Sequence, residues 1–332
     1  MRVLVLGATG FLGLNTVDAV RHLGHETLAA RRRRSNVIPL RSRKVALVEV
    51  ELTEPETLVS AMRTADVCIH AAGHYPKLST NAERARERGL AELEAVLDAA
   101  AQSGLRRLVY VSSTATVAPS ASISNEADTF SSAPGFGVYH DLKWEMEARV
   151  AREDRLEVRV ACPSACLGPW DLRVGTSALL VAVAHGLDPA HPDGWVNWVD
   201  SRDVGLGLAE LAIRDRAPRR VILSAGARRL HELLTHCAAR YSVPPPSPPL
   251  GPEAALSFAQ AEELRAEASG KRPRLSVEIV DLVVHGTPIS GALATDALGV
   301  RYRALDETLD AFDEWARRMT ILPTPSRSSV YT

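Results

Sequence analysis

The chain has 332 residues, 46% of them hydrophobic and only 5% aromatic, with a formal net charge of −1. That length and aliphatic content predict a large core divided between two lobes, and the near-neutral charge offers no overall field to nucleic acid or an anionic membrane. No stretch approaches the roughly 20 apolar residues of a membrane span, and the chain opens on a core strand instead of a cleavable leader, so a cytoplasmic protein is expected.

Arg2-Val3-Leu4-Val5-Leu6 is a short, β-branched strand signal that ends directly on Gly7-Ala8-Thr9-Gly10-Phe11-Leu12-Gly13. Phe11, Leu12, Val17, Val20 and Leu23 then recur at helical spacing. Gly7, Gly10 and Gly13 therefore mark a strand-to-helix turn. There the backbone of Thr9, Phe11 and Leu12 can approach a pyrophosphate above the positive end of the helix. The second strand, Glu26–Ala30, ends on Arg31, with Arg32, Arg33 and Arg34 following. NAD enzymes place a carboxylate at that strand end for the ribose hydroxyls, whereas a guanidinium can grip a 2′-phosphate. NADP(H) is favoured, NAD(H) is the alternative, and Arg31 and Arg32 are the candidate contacts; at least two of the four arginines form a solvated charge run. Leu47–Val50 reads as a third strand. Glu51 and Leu52 fall where an adenine would lie, although Glu51 serves equally well as a helix cap before Pro55.

A fourth strand signal, Val67-Cys68-Ile69-His70, runs into Ala71-Ala72-Gly73, small residues that let backbone pass close to the nicotinamide half of a dinucleotide. His70 reads as structural. Leu108–Val111 is a fifth strand, and Ser112-Ser113-Thr114 stands at its carboxyl end, where ligands bind in open α/β sheets. Reduction of a carbonyl needs an acid beside the developing alkoxide. Tyr139 qualifies, because Lys143 lies one helical turn on and an ammonium stabilises a phenolate whose ordinary pKa is about 10. A hydroxyl from Thr114 or Ser113 would hold the substrate oxygen. The competing reading is a surface Tyr and Lys on an amphipathic helix.

These residues resemble the extended short-chain dehydrogenase/reductase family, from Met1 to about Trp315. Ala161-Cys162-Pro163-Ser164-Ala165-Cys166-Leu167-Gly168-Pro169 is similar to its proline-glycine-proline segment, Asn197–Val204 to its returning strand with an Asp-Val pair, and Leu298-Gly299-Val300 followed by Leu305–Trp315 to its C-terminal helix. The phrasing resembles most the dihydroflavonol-reductase-like branch, including the reductase-like proteins of hopanoid clusters. The resemblance implies an α/β Rossmann fold, a doubly wound parallel sheet with a smaller C-terminal α/β substrate lobe, and NADPH-dependent carbonyl reduction. It adds Ser112, Pro163, Ala165 and Cys166 to the cofactor contacts, and a homodimer formed through the helices over 90–101 and 139–151. Two departures stand out. Gly89 falls at or near the family's relay Asn, and Thr114, with Ser113 as alternative, replaces the usual Ser. A nucleotide-sugar epimerase or dehydratase is the next reading, although no Thr-Asp-Glu follows Thr114 and Cys162-Pro163-Ser164 replaces the Asn-containing stretch. A cofactor-binding sensor with little chemistry is the third.

The cofactor domain is expected over 1–165 and 199–225, with Val221–Ser224 returning as a late strand; the substrate lobe over 166–198 and 226–320; and a tail over 321–332. His74-Tyr75-Pro76, Phe136, Trp170 and Trp195 are the expected pocket walls. Three of the chain's five Trp lie between residues 166 and 200, which suggests an apolar or ring-bearing small molecule, with core packing of Trp198 the alternative. Gly175–Gly186 reads as a core helix, Leu230–Tyr241 as helical, and Val243–Pro249 as a stiff surface loop. Cys68, Cys162, Cys166 and Cys237 read as reduced packing residues, and no metal site is expected.

Overall fold

The computed structural model describes residues 1–73, 79 and 82–323. Seven parallel strands form the main sheet in the order β3-β2-β1-β4-β5-β6-β9. In chain order these are β1 (Arg2–Leu6), β2 (Glu26–Arg31), β3 (Ala46–Glu49), β4 (Val67–His70), β5 (Arg107–Val111) and β6 (Glu157–Pro163), with β9 (Arg220–Leu223) arriving much later. Helices α1 (Phe11–His22), α2 (Ile38–Arg41), α3 (Pro55–Met62), α4 (Ala82–Ser103) and α5 (Val138–Ala151) connect the first six strands. The observed strand ends differ from the sequence expectation by about a residue. His74, Tyr75 and Pro76 lie outside the described residues, as does the tail beyond residue 323.

The sheet is covered on both faces, so its central strands are apolar along their whole length. All four residues of β4 are buried. The period of two still sorts them: Val3, Val5, Val67, Ile69, Val109 and Val221 enter one core, and Leu4, Leu6, Cys68, Leu108, Tyr110 and Ile222 the other. Helix α7 (Ser201–Ile213) joins α1 on the first face. Its C-terminal carbonyls would be orphaned inside the protein. Two buried arginines at the starts of β5 and β6 satisfy them: Arg107 donates to Ala212 and Arg214, and Arg159 to Leu211, Arg214 and Asp215. Both also pair with Glu157 at 2.8 and 2.6 Å.

A second sheet holds β7 (Ala165–Leu167), β8 (Trp195–Asp200) and β10 (Gly226–Arg229), with β8 parallel to β7 and antiparallel to β10. Around it lie α6 (Ala178–Ala184), α8 (Leu230–Tyr241), α9 (Pro252–Ser269), α10 (Val277–Val284) and α12 (Leu305–Arg318), while α11 (Ala292–Leu298) packs on β9 and α7 of the main sheet. The apolar run over 175–186 forms α6, α8 coincides with the expected segment, and residues 243–249 form no helix or strand. The pair α9 and α10 is absent from the sequence reading. Trp198 is buried in the core of this lobe. None of the described helices is long and apolar enough to cross a membrane.

Candidate active site

Strand order reverses between β1 and β4, so the chain leaves the sheet in opposite directions at their carboxyl ends and opens a crevice there. Gly7 takes φ +80°, and a Cβ on it would lie 2.7 Å from the Ala72 nitrogen. A Cβ on Gly13 would lie 2.0 Å from the Gly7 carbonyl oxygen, so turn, helix and β4 can pack this closely only as glycine backbone. Gly10 is the N-cap of α1 and no side chain caps that helix. The first-turn N–H groups around Phe11, Leu12 and Gly13 thus face the crevice without a side-chain acceptor, a donor set that fits a pyrophosphate. Ala71, Ala72 and Gly73 form its opposite lip, with the Ala71 N–H bonded to Leu6.

The arginines after β2 do not all face outward. Arg31 pairs with Glu49 at 2.8 Å, and Arg33 pairs with Glu49 at 3.1 Å and Glu54 at 2.8 Å. Glu51 is also occupied, accepting from the Arg33 backbone N–H at 2.9 Å, while Leu52 packs on the apolar core. Arg32 is exposed, and its backbone N–H donates to Ser35 Oγ at 3.0 Å.

The sequence positions of the proton-transfer group converge at the carboxyl end of β5. Ser113 caps a single 3-10 turn, Thr114–Thr116, and α5 brings Tyr139 and Lys143 to the same place. Burial pushes the Tyr139 phenol up, the Glu278 carboxylate pushes it the same way, and a hydrogen bond with Ser113 opposes both. Thr114, half-buried, follows Ser113 in the same turn. Lys143 Nζ lies 6.0 Å from the Tyr139 ring centroid and 3.4 Å from the Val111 carbonyl. Burial pushes this ammonium down to about 8, while Glu147, Cys162 and Glu278 act to raise it. The Tyr139 phenol thus stands above its ordinary value, contrary to the expected lowering by Lys143. His70 is held neutral, pushed down to about 3 by burial and by Lys143, as suits a structural His. Gly89 carries no relay group: it is buried in α4 where a Cβ would lie 3.3 Å from Leu142 of α5.

Of the expected pocket walls, Phe136 lies just before α5. It stacks on His285 of the C-terminal lobe at 4.0 Å, beside His140. Trp170 is taken up in packing between Arg43, 4.4 Å from its ring, and Trp315, and Trp195 lies under Arg229 at 5.0 Å. Pro163 ends β6; Ala165 and Cys166 begin β7, the Cys166 thiol pushed up by burial and bonded to the Ser164 carbonyl. Three charged groups escaped the sequence reading. Glu147, one turn beyond Lys143, accepts from Ser112 at 2.5 Å, Thr116 at 2.7 Å and Arg220 at 2.6 Å. Arg220 comes from β9 and Glu278 from α10. Glu147 was findable from its spacing after Lys143; the other two carry no local signal. Among the described residues no three His, Cys, Asp or Glu gather to hold a metal.

Residues 3–190 match the model of the NAD dependent epimerase/dehydratase family. A Synechocystis sp. protein assigned the name dihydroflavonol 4-reductase is 24% identical over 94% of this chain and 93% of its own length. Sterol demethylase protein B of Methylococcus capsulatus is 28% identical over 74% of this chain and 78% of its own. Among solved structures, a nucleoside-diphosphate-sugar epimerase from Pseudomonas aeruginosa superposes with a TM-score of 0.79 at 24% identity, covering 97% of this chain and 99% of that one. Thermus thermophilus UDP-glucose 4-epimerase in complex with NAD superposes with a TM-score of 0.73 at 17% identity, covering 96% and 99%. At these identities the structures establish the shared fold. With its glycine turn, parallel sheet and matched family model, the chain belongs to the NAD dependent epimerase/dehydratase family, the extended short-chain dehydrogenase/reductase type.

Proposed function

We propose that the protein is an NADP(H)-dependent reductase or dehydrogenase that moves hydride between nicotinamide and a carbonyl or alcohol of a small, apolar or ring-bearing metabolite. The observation that carries this reading is the meeting of Ser113, Tyr139 and Lys143 at the end of β5, with only β4 between it and β1, which leads into the uncapped α1 turn. When bound, the nicotinamide supplies or accepts the hydride. Tyr139 then holds the proton at its phenol oxygen for the substrate oxygen, and Ser113, with Thr114 beside it, orients that oxygen. Burial keeps the phenol protonated, the form that the reducing direction requires. Lys143 provides fixed positive charge beneath the site and a donor for a ribose hydroxyl. The backbone of Gly7, Gly10 and Gly13 holds the pyrophosphate. Arg32, with Arg31 behind it, accounts for a preference for a 2′-phosphate; the ion pair of Arg31 with Glu49 leaves the exposed Arg32 as the principal contact. Phe136 supports an apolar substrate.

The relative named for dihydroflavonol reduction supports carbonyl chemistry. Epimerisation of a nucleotide sugar is the second reading, favoured by the superposition on epimerases along nearly the whole chain. NADPH consumption with a panel of ring-bearing ketones and aldehydes, beside conversion of UDP-sugars with NAD, separates the two. Reduction of a carbonyl by NADPH supports the first; turnover of UDP-sugars alone overturns it. A homodimer through α4 and α5 belongs to the same reading, and its helices are tied within one chain by Arg86–Glu145 and Arg149–Glu94 pairs at 2.5 Å.

A further inference from the structure

Beside Lys143, a charged cluster joins α5, β9 and the turn after β5. The Glu147 carboxylate, largely buried, receives Ser112 Oγ at 2.5 Å, Thr116 Oγ1 at 2.7 Å, Arg220 Nε at 2.6 Å and the Cys162 thiol at 3.7 Å. Arg220 itself is partly buried and donates further to Thr116 Oγ1 at 3.1 Å and to the Glu126 carbonyl at 3.2 Å. One carboxylate therefore brackets the Ser113–Thr114 turn from both sides, through Ser112 before it and Thr116 after it. It also stands one helical turn from Lys143 on the same face of α5.

Burying an ion pair is costly, and apolar residues can often supply the same stability. Its placement suits another task. We propose that Glu147 is a positioning residue, which fixes the Ser112–Thr116 turn against α5 and provides the counter-charge for the Lys143 ammonium, while Arg220 on β9 moderates that counter-charge. The inference rests on the reading of Tyr139 and Lys143 as the proton-handling pair. The groups facing Lys143 are His70 from β4, Tyr110 from β5, Tyr139 and Glu147 from α5, Cys162 from β6 and Glu278 from α10, with Arg220 from β9 reaching it through Glu147. His70 is neutral, and Cys162 and Tyr110 are pushed up by burial. At neutral pH the opposing charges are thus carboxylates, of which Glu147 acts most strongly.

The test uses Nζ resonances in protein labelled with 13C,15N-lysine. Lys44, Lys77, Lys143 and Lys271 are the chain's lysines, so each signal can be followed across a pH titration without cofactor or substrate. Glu147→Gln should lower the Lys143 midpoint by about one pH unit or more, and Arg220→Gln should raise it, since an unmoderated carboxylate favours the ammonium. A purely structural loosening would move both variants the same way. Midpoints that shift together, or not at all, overturn the proposal. If Glu147→Gln does not fold, Arg220→Gln decides alone: a raised midpoint supports the proposal, and an unchanged or lowered one overturns it. Opposite shifts in a protein that reduces no carbonyl would sink the reductase reading and leave the charge assignment standing.

Discussion

The two halves of the crevice hold charge by different means. The dinucleotide side is built from consecutive residues, 7–13, and works through backbone: uncapped N–H groups above β1 and glycines that nothing larger can replace. The proton-handling side is assembled from side chains at 113, 139, 143, 147, 220 and 278, drawn from α5, β9, α10 and the turn after β5. Backbone sites tolerate little change at any one residue. Side-chain sites can lose one group and keep their architecture.

Breaking the side-chain half should give the largest effect on turnover. Tyr139→Phe is expected to cut kcat by about 10²- to 10⁴-fold, the range of a lost general acid, with NADPH binding by fluorescence titration nearly unchanged. Gly13→Ala strikes the backbone half. With its Cβ 2.0 Å from the Gly7 carbonyl, it should cost about 1–3 kcal/mol in denaturant unfolding and abolish dinucleotide binding together with activity. Cofactor affinity should also report the Lys143 charge: it is expected to decline as pH rises through about 8, where burial places that ammonium, and to be steady below.

The C-terminal lobe offers a pH test of stability. Burial pushes the Asp281 carboxyl up to about 6, with Glu263 and Asp141 acting the same way. Between about 4, where an unfolded aspartate titrates, and about 6, the folded chain binds a proton that the unfolded chain has released. This group's contribution to stability therefore falls as pH rises through that window. Asp281→Asn should flatten that part of the profile, read as unfolding midpoints at pH 5 and pH 7. The smallest effect belongs to the outer surface: Arg86→Ala removes the exposed pair with Glu145 and should cost no more than about 0.5 kcal/mol.

The same contrast explains what could be read from the sequence. Strand, glycine turn, helix and second strand follow each other in the first thirty or so residues, and hydrophobic periodicity suffices for them. Tyr139 and Lys143 were legible because one helical turn joins them. Arg220 and Glu278 were not, since they meet α5 only through tertiary packing of β9 and α10. Trp170 is ambiguous in another way: aromatic clustering in sequence suggests a pocket, and its ring has Arg43 on one side and packs on Trp315. The arginine run after β2 was equally ambiguous, because the neutralising carboxylates sit on β3 and at the start of α3, outside any local pattern.

Because β9 follows β6 only after residues 164–219, the last bracket on the catalytic turn depends on closing a long stretch of chain. Parallel pairing at such separation is slow to form, and synthesis proceeds from the N-terminus. In a chain synthesised only through β6, Glu147 still lacks Arg220, and the turn after β5 is tied to α5 but not yet to the far edge of the sheet.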